Sequence, residues 1–182
     1  MNNVRYLISM MNIIQKCCSF ASEMDKKDYN LDSTDLKIMQ LMQDNARINN
    51  ADIARELGMA PSGILERVKK LEQKNVIQAY HAKINPLAVD QKLLSFIFIK
   101  TTDIIGDEKI GLLLAKIPEV LEVHDIAGDD GYLVKVRTAD SDGLVELMRN
   151  SLSKIEGIIS TRTTIVLQTV KEEQNIIIPN VE

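Results

Sequence analysis

The apolar positions of this 182-residue chain follow two different periods. Up to about residue 77 they return every three or four residues, which is the spacing of amphipathic helices. Beyond residue 92 short alternating runs predominate, and two further stretches of helical period lie between them. The pattern therefore predicts a helical amino-terminal region followed by a region that mixes strands and helices.

The first helix is predicted to begin at Asp32, within the segment LDSTDLKIMQLMQDN. Asp is a favoured N-cap residue, and Asp35 stands three residues later, where a capping box has its second acceptor. Apolar residues at helical spacing form the predicted buried face: Leu36, Met39 and Met42, flanked by Ile38 and Leu41. This combination indicates a helix that packs on a small core.

Two more helices are predicted in quick succession. The second runs over about Asn50–Leu57 and is stopped by Gly58, a residue that readily adopts the left-handed conformation. The third has Pro61 at its first position and ends near Lys74, where Asn75 can take the left-handed cap. A turn of about four residues joins the last two helices, which is the arrangement of a helix-turn-helix.

The third helix is predicted to have one apolar and one basic face. Its apolar residues, which we expect to pack on the first two helices, are Ile64, Leu65, Val68 and Leu71. In a helix-turn-helix the opposite face enters the DNA major groove, where cations neutralise phosphates and Arg can bind guanine with two hydrogen bonds. We therefore predict DNA contacts from Pro61, Ser62, Gly63, Glu66, Arg67, Lys69 and Lys70. Arg67 is the best candidate for a bidentate contact, to guanine or to phosphate.

A basic outer face is also typical of an ordinary solvated helix, and this is the alternative to DNA binding. Glu66 counts against DNA, since a carboxylate repels phosphates unless it accepts from a cytosine amino group or pairs with Lys70. The short helix and the glycine turn just before this helix favour the DNA interpretation.

The rest of the chain predicts an α+β unit. The segment VIQAYHAKI, from Val76 to Ile84, alternates loosely and predicts a strand, and Asn85 then begins a linker. After it come a strand, a helix, two strands, a helix and a strand, carried by SFIFIK, DEKIGLLLAKI, VLEVHDIA, GYLVKVRTA, DGLVELMRNSLSKI and IISTRTTIVLQTV. This order is the ferredoxin-like arrangement, whose helices cover one face of the sheet. The other face is expected to pair with a second copy of the chain.

These predictions divide the chain into five parts: an extension at 1–29, a helix-turn-helix DNA-binding domain at 30–84, a linker at 85–92, a ferredoxin-like oligomerisation and effector domain at 93–172, and a tail at 173–182. The tail either adds an edge strand or is frayed. Met24 opens a second plausible start, so we expect residues 1–23 to lie upstream of the true start codon.

Composition narrows the class of protein. Residues 1–83 carry a formal net charge of +2 and residues 84–182 one of −6, which indicates two regions with different partners. No run of about 18 apolar residues occurs, so a membrane-spanning helix is not expected. The only cysteines, Cys17 and Cys18, are adjacent and cannot join distant parts of a fold. We expect a cytoplasmic protein without metal or cofactor.

Three segments carry a resemblance to a known family: LDSTDLKIMQLMQDNARINNADIARELGMAPSGILERVKKLEQKNVIQAYHAKINP, EVHDIAGDDGYLVKV and GIISTRTTIVLQTVK. Together, over residues 30–172, they resemble the leucine-responsive and asparagine-synthesis regulator (Lrp/AsnC) family. The resemblance implies a winged helix-turn-helix that binds double-stranded DNA through Asn50–Lys69. It also implies a second domain that forms homodimers, often octamers, and senses a small molecule, usually an amino acid.

The family's sensing region would correspond to the loop formed by Gly128, Asp129, Asp130 and Gly131, with polar groups from the last strand. Two departures from the family pattern matter. Ala60 stands where most members have an N-cap Ser, and Gly131 precedes Tyr132 where many members have Asp before an aromatic residue. The missing carboxylate leaves the identity of the effector open.

Considered by itself, GDDG between two strands is first of all a turn, because Gly permits positive φ and Asp bonds to nearby backbone. The functional interpretation is that Asp129 or Asp130 holds an amino-acid ammonium group while turn N–H groups hold its carboxylate. Thr161 and Thr163, on one face of the last strand, could add hydroxyl groups, although they are also ordinary strand residues.

Two other functions are alternatives to a regulator. Siroheme decarboxylases resemble these regulators, and such an enzyme would need a proton donor or a haem-facing group, for which only His81 and His124 are available. A pure oligomerisation module is disfavoured by Arg67, Lys69 and Lys70. A non-enzymatic regulator is the expectation.

Overall fold

The computed structural model describes residues 29–102 and 108–179. The described residues form two compact units. The helical unit comprises the described residues up to Lys83 together with those from Lys171 onward, and the sheet unit comprises the described residues between Ile84 and Val170. The expectations for residues 1–23, including Cys17 and Cys18, lie outside the described residues.

Three helices make up most of the helical unit: α1 Ser33–Asp44, α2 Asn50–Leu57 and α3 Pro61–Gln73. The predicted capping box at the start of α1 is confirmed. The Asp35 backbone N–H donates to Asp32 Oδ1 at 2.8 Å, and the Asp32 N–H donates to Asp35 Oδ2 at 3.4 Å. These bonds satisfy amide groups that the first turn of a helix leaves without partners.

The turn between α2 and α3 also follows its local chemistry. Gly58 adopts φ +64°, as expected of a glycine that ends a helix, and the Met59 N–H donates to the Ala54 carbonyl at 2.9 Å. Ala60 precedes α3 without a side-chain cap, while Pro61 occupies the first turn. Asn75 has φ +58°, which confirms the predicted left-handed residue after α3.

The core of the helical unit is centred on Ile38, Ile53 and Ile64, which are fully buried. Ile38 was predicted to flank the buried face of α1, and it is instead its centre. Leu65 was predicted to be buried and is 40% exposed, so that prediction is wrong. Successive helical residues are about 100° apart, which carries Leu65 past the edge of the stripe that Ile64 and Val68 form.

The strand predicted over Val76–Ile84 is also wrong: these residues adopt no β-strand. A strand needs a neighbour to satisfy its backbone groups, and no strand occurs among the described residues of the helical unit. A short 3₁₀ helix, Pro86–Val89, follows the segment.

The sheet unit confirms the ferredoxin-like order. Its elements are β1 Leu93–Thr101, α4 Lys109–Leu114, β2 Val120–Asp125, β3 Tyr132–Thr138, α5 Ser141–Asn150 and β4 Ile158–Ile165, with a 3₁₀ turn at Leu152–Lys154. The four strands lie in the order β2-β3-β1-β4, and all neighbours are antiparallel. The helices and β4 are shorter than predicted. β4 ends at Ile165, which pairs with Ser95, and the Val166 N–H just beyond it still donates to the Leu94 carbonyl.

Both helices of the sheet unit pack on one face of the sheet. Ile97 and Ile99 of β1 and Val134 and Val136 of β3 are fully buried in the cluster that includes Leu114 of α4. Alternate residues point to the other face, which we call the open face because neither helix covers it. Leu94 at one end of this face is buried, and the other apolar side chains of the face on β1 and β3 are partly buried: Phe96, Phe98 and Leu133.

The tail was predicted to be an edge strand or frayed, and over its described residues, 173–179, it forms no strand. The Gln43 side-chain amide of α1 pairs with the Ile176 backbone, donating to its carbonyl at 2.8 Å and accepting from its N–H at 3.1 Å. Gln40 donates to the Ile178 carbonyl at 3.4 Å, and Lys83 donates to the Glu172 carbonyl at 2.5 Å. An amide side chain offers one donor and one acceptor side by side, so it pairs with extended backbone without a second strand.

Candidate DNA-binding surface and effector loop

The outward face of α3 is built by the packing of its inner face. Ile64, Val68 and Leu71 lie at spacings of three and four and are buried against the other helices. Most residues predicted to contact DNA are therefore exposed: Pro61, Ser62, Glu66, Lys69 and Lys70. Gly63 is half-buried, and a Cβ added to it would meet only the terminal methyl of Met59, at 3.9 Å. A surface with two adjacent lysines and small residues in its first turn suits close approach to a phosphate backbone.

Arg67 occupies a different position from these residues. It lies about 60° around α3 from Ile64, on the side towards α1, and its side chain is 32% exposed. Its Nη1 atom contacts Asp32 Oδ2 at 2.7 Å and Asp35 Oδ1 at 2.8 Å. The predicted contact of Arg67 with DNA thus competes with an ion pair inside the unit.

The charges of this ion pair stabilise one another. Hydrogen bonds to Asp32 and then Asp35 raise the pKa of Arg67 above its ordinary value. The pKa of Asp32 is lowered, first by the Asp35 backbone N–H and then by the Arg67 guanidinium. Arg67 and Asp32 are therefore charged at neutral pH.

Leu65 is a surface residue that sequence reasoning missed. It is 40% exposed, next to the outward-facing Glu66 in the first half of α3. Apolar side chains on a recognition helix contact the thymine methyl group. The signal was available in the angular spacing along α3, but a Leu within an apolar run is usually assigned to a core.

The glycine loop is closed by backbone bonds. The Ile126 N–H donates to the Gly131 carbonyl at 3.0 Å, and the Gly131 N–H donates to the Ile99 carbonyl at 2.9 Å. A Cβ on Gly131 would lie 2.9 Å from Thr101 Oγ1, so glycine is needed for this close approach to β1. Within the loop Gly128 and Asp129 are exposed and Asp130 is half-buried.

Arg162 of β4 is a second residue that sequence reasoning missed. Its Nη2 atom lies 3.1 Å from Asp130 Oδ2, and its guanidinium carbon lies 4.0 Å from the centre of the Phe98 ring. Arg162 therefore connects the glycine loop to the open face. Because Arg162 and Asp130 are 32 residues apart in the chain, their pairing could not be predicted from local sequence patterns.

Thr161 and Thr163 lie on the other face of β4. Thr163 pairs with Ile97 and Thr161 with Ile99, both of which belong to the helix-covered core. Thr163 Oγ1 lies 3.9 Å from the sulfur of Met148. The structure thus brings Arg162, rather than either threonine, to the open face beside Asp130.

The two histidines are exposed, His81 in the segment after α3 and His124 in β2. His124 Nε2 lies 3.3 Å from Glu122 Oε2, and Lys135 Nζ lies 3.0 Å from Glu122 Oε1. Partial burial acts to raise the pKa of Glu122, but hydrogen bonds from Lys135 and His124 outweigh it and lower that pKa. Over the described ranges, no group of three or more His, Cys, Asp or Glu side chains is placed to hold a metal ion.

In the part of the chain that the structure describes, no helix has both the length and the apolar character that crossing a bilayer requires.

Comparison with known proteins agrees with both units. A family described as winged helix-turn-helix DNA-binding matches residues 31–78, and one described as Lrp/AsnC ligand binding domain matches residues 96–176. The leucine-responsive regulatory protein of Haemophilus influenzae is 34% identical over 151 residues, which cover 81% of this chain and 90% of that protein.

Solved structures give the same result. The feast or famine regulatory protein from M. tuberculosis, complexed with L-methionine, superposes with a TM-score of 0.74 at 30% identity, covering 82% of this chain and 99% of that one. A transcriptional regulator from Neisseria meningitidis, also in complex with L-Met, gives a TM-score of 0.73 at 27% identity, covering 80% of this chain and 96% of that one.

Fold, surface and similarity define a class of protein: a transcriptional regulator with a winged helix-turn-helix and a ferredoxin-like ligand-binding domain. The chain belongs to the Lrp/AsnC family.

Proposed function

We propose that this regulator binds double-stranded DNA with the outward face of α3 in the major groove. The observation that carries the proposal is the exposed surface of Ser62, Glu66, Lys69 and Lys70 opposite a fully buried Ile64. The lysines neutralise phosphates, and the first-turn residues lie nearest the base edges. Leu65 supports the same face, as an apolar group for a thymine methyl.

Salt dependence of binding tests this surface. Each of Lys69→Ala and Lys70→Ala should weaken duplex binding and reduce the slope of log K against log salt by about 1, the share of one phosphate contact. Lys116→Ala, which removes an exposed charge from the sheet unit, is the matched control and should leave the slope unchanged. Wild-type slopes in both α3 variants would show that another surface contacts DNA.

For the effector, we propose an amino acid bound beside the glycine loop, with Gly128, Asp129, Asp130 and Gly131 as its first contacts. An amino acid carries an ammonium and a carboxylate, and the loop offers carboxylates beside the Arg162 guanidinium. Two structural relatives are complexes with L-methionine, which supports this ligand class. Thr161 and Thr163 remain candidates from β4, with access only from the helix-covered face.

A thermal-shift screen of amino acids tests this site, because a ligand that binds only the folded chain raises its melting temperature. L-Methionine and L-leucine are the first probes. A shift that is lost in Asp129→Asn and in Arg162→Gln would place the ligand at the loop. No shift with any amino acid, while duplex binding persists, would rule out this effector class.

A homodimer formed through the open face is the third part of the proposal. Phe96, Phe98 and Leu133 place partly exposed apolar surface on one side of the sheet, and such a patch is stabilised by a self-complementary partner. Sedimentation should show a dimer or a larger even assembly for the wild type and a monomer for Phe98→Glu. Leu112→Glu, on the outer surface of α4, is the control and should keep the dimer.

The proposed role is regulatory rather than enzymatic. Close relatives are named as regulators, and the exposed His81 and His124 lack the enclosed surroundings of a haem-facing or proton-donating group. If the protein held a tetrapyrrole, the protein purified from cells would absorb above 350 nm, and the absorbance would correspond to a stoichiometric amount of tetrapyrrole per chain. That observation would favour the decarboxylase alternative.

A further inference from the structure

Arg67 connects α3 to the first turn of α1 through two carboxylates. The ion pairs join residues 35 and 32 positions apart in the chain, so they form only when both helices are in place. Asp35 is among the most buried charged groups of the helical unit, with a side chain 12% exposed. A contact that excludes this much water is stronger than an ordinary surface ion pair.

The two carboxylates divide their oxygens between two tasks. Asp32 uses Oδ1 to cap the Asp35 N–H and Oδ2 to accept from Arg67. Asp35 uses Oδ2 to accept from the Asp32 N–H and Oδ1 to accept from Arg67. The capping box therefore fixes the direction of both carboxylates independently of their contacts with Arg67.

We propose that Arg67 is a positioning residue, which sets the rotation of α3 through Asp32 and Asp35 and does not itself contact DNA. The apolar contacts of Ile64 and Val68 are non-directional, whereas paired charged hydrogen bonds fix direction as well as distance. A small rotation of α3 about its axis would move Lys69 and its neighbours relative to the groove. The inference rests on the proposed DNA binding.

Neutralising Asp35 gives the sharpest test, because the two explanations predict opposite signs. Removing a negative charge near DNA strengthens binding if only electrostatics matter. If Asp35 positions α3, Asp35→Asn weakens binding to a duplex that the wild-type protein selects from a random pool, by about tenfold. Binding to a scrambled duplex of the same composition is kept. Asp44→Asn, at the other end of α1, makes the same charge change and should not weaken either complex.

Arg67 variants complete a cycle. Arg67→Gln should lose as much affinity for the selected duplex as Asp35→Asn does. The double variant should bind no more weakly than the weaker-binding single variant, since both substitutions remove the same contact. Arg67→Lys should recover part of the loss, as an ammonium can hold one carboxylate. The salt slope should stay at its wild-type value in all of them, because no phosphate contact is removed.

Circular dichroism melts establish that each variant is folded at the assay temperature. A lower affinity for the selected duplex, with unchanged affinity for the scrambled one, then reflects the position of α3 rather than unfolding. Tight binding by Asp35→Asn, with a salt slope reduced by about 1 in Arg67→Gln, would make Arg67 a direct phosphate contact and overturn the inference. If the wild-type chain binds no duplex, the result contradicts the proposed DNA binding itself, before any variant is compared.

Discussion

At the scale of single residues, two glycines in helices face different surroundings. A Cβ on Gly111 of α4 would lie 2.9 Å from Cε1 of the buried Tyr132 ring. A Cβ on Gly63 of α3 would approach nothing closer than 3.9 Å. The same substitution should therefore have opposite effects at the two positions.

We expect Gly111→Ala to lower the free energy of unfolding by about 1–3 kcal/mol, because a rigid ring cannot yield without displacing its neighbours. Gly63→Ala should raise it by about 0.5–1 kcal/mol, since alanine loses less backbone entropy in a helix. Urea unfolding measures both. Equal effects would contradict the packing around Tyr132. Weaker duplex binding by the more stable Gly63→Ala would indicate that backbone approaches DNA there.

Acid sensitivity is a second prediction at this scale. The pKa of Asp32 in the folded chain lies below its ordinary value of 3.8, so the carboxylate stabilises the fold above that pH. Its contribution is lost as the pH falls through the lowered pKa. The difference in urea midpoint between wild type and Asp32→Asn should therefore narrow from pH 5 downward. A difference that stays constant over that range is the contrary result.

At the scale of elements, the helices differ in how they begin. Asp140 caps α5 by accepting the Gly143 N–H at 2.9 Å, and Asn49 caps α2 by accepting from Asp52. Ala60, the residue before α3, has no side-chain oxygen to offer. The helix proposed to contact DNA thus begins without a side-chain cap, as α4 also does after Glu108.

Restoring this cap is the third prediction. Ala60→Ser should raise the free energy of unfolding by about 0.5–1 kcal/mol, because residue 60 already has the extended conformation that an N-cap needs. Asp140→Ala, which removes an existing cap, should lower it by about 0.5–2 kcal/mol. Thermal melts of both variants compare them directly. No gain in Ala60→Ser would mean that another group already satisfies the first amides of α3.

At the scale of the whole molecule, the chain enters the sheet unit at Ile84 and returns to the helical unit at Lys171. The returning segment is held by side chains at three points: Lys83 to the Glu172 carbonyl, Gln43 to the Ile176 backbone and Gln40 to the Ile178 carbonyl. The helical unit is therefore tied to the sheet unit by two covalent connections.

Limited proteolysis tests the second connection. Trypsin should cut after Lys171 faster in Gln43→Ala than in the wild type, because cleavage needs local release of the segment that Gln43 holds. Gln73→Ala removes an exposed amide from α3 and is the matched control, with an unchanged rate. Equal rates in all three proteins would show that the Gln43 contact does not restrain the tail.

Several features could be predicted from sequence because their causes lie within a few residues. The Asp32 capping box, the left-handed Gly58 and Asn75, and the alternation of β1 each depend on neighbours three or four positions away at most. The ferredoxin-like arrangement could be predicted from the order of the elements along the chain, since few topologies accommodate that order. The surface of α3 was predicted for the same reason, apart from Leu65 and the ion-paired Arg67.

The helices, the four strands of the sheet, their order and the basic side of α3 could thus be predicted from local periodicity and chemistry, whereas the strand predicted over Val76–Ile84 was wrong. Three contacts became evident only from the folded chain: Arg67 with Asp32 and Asp35, Arg162 with Asp130, and the tail with α1. Such contacts join residues more than 30 positions apart, and their energy depends on distances that exist only after the elements have packed.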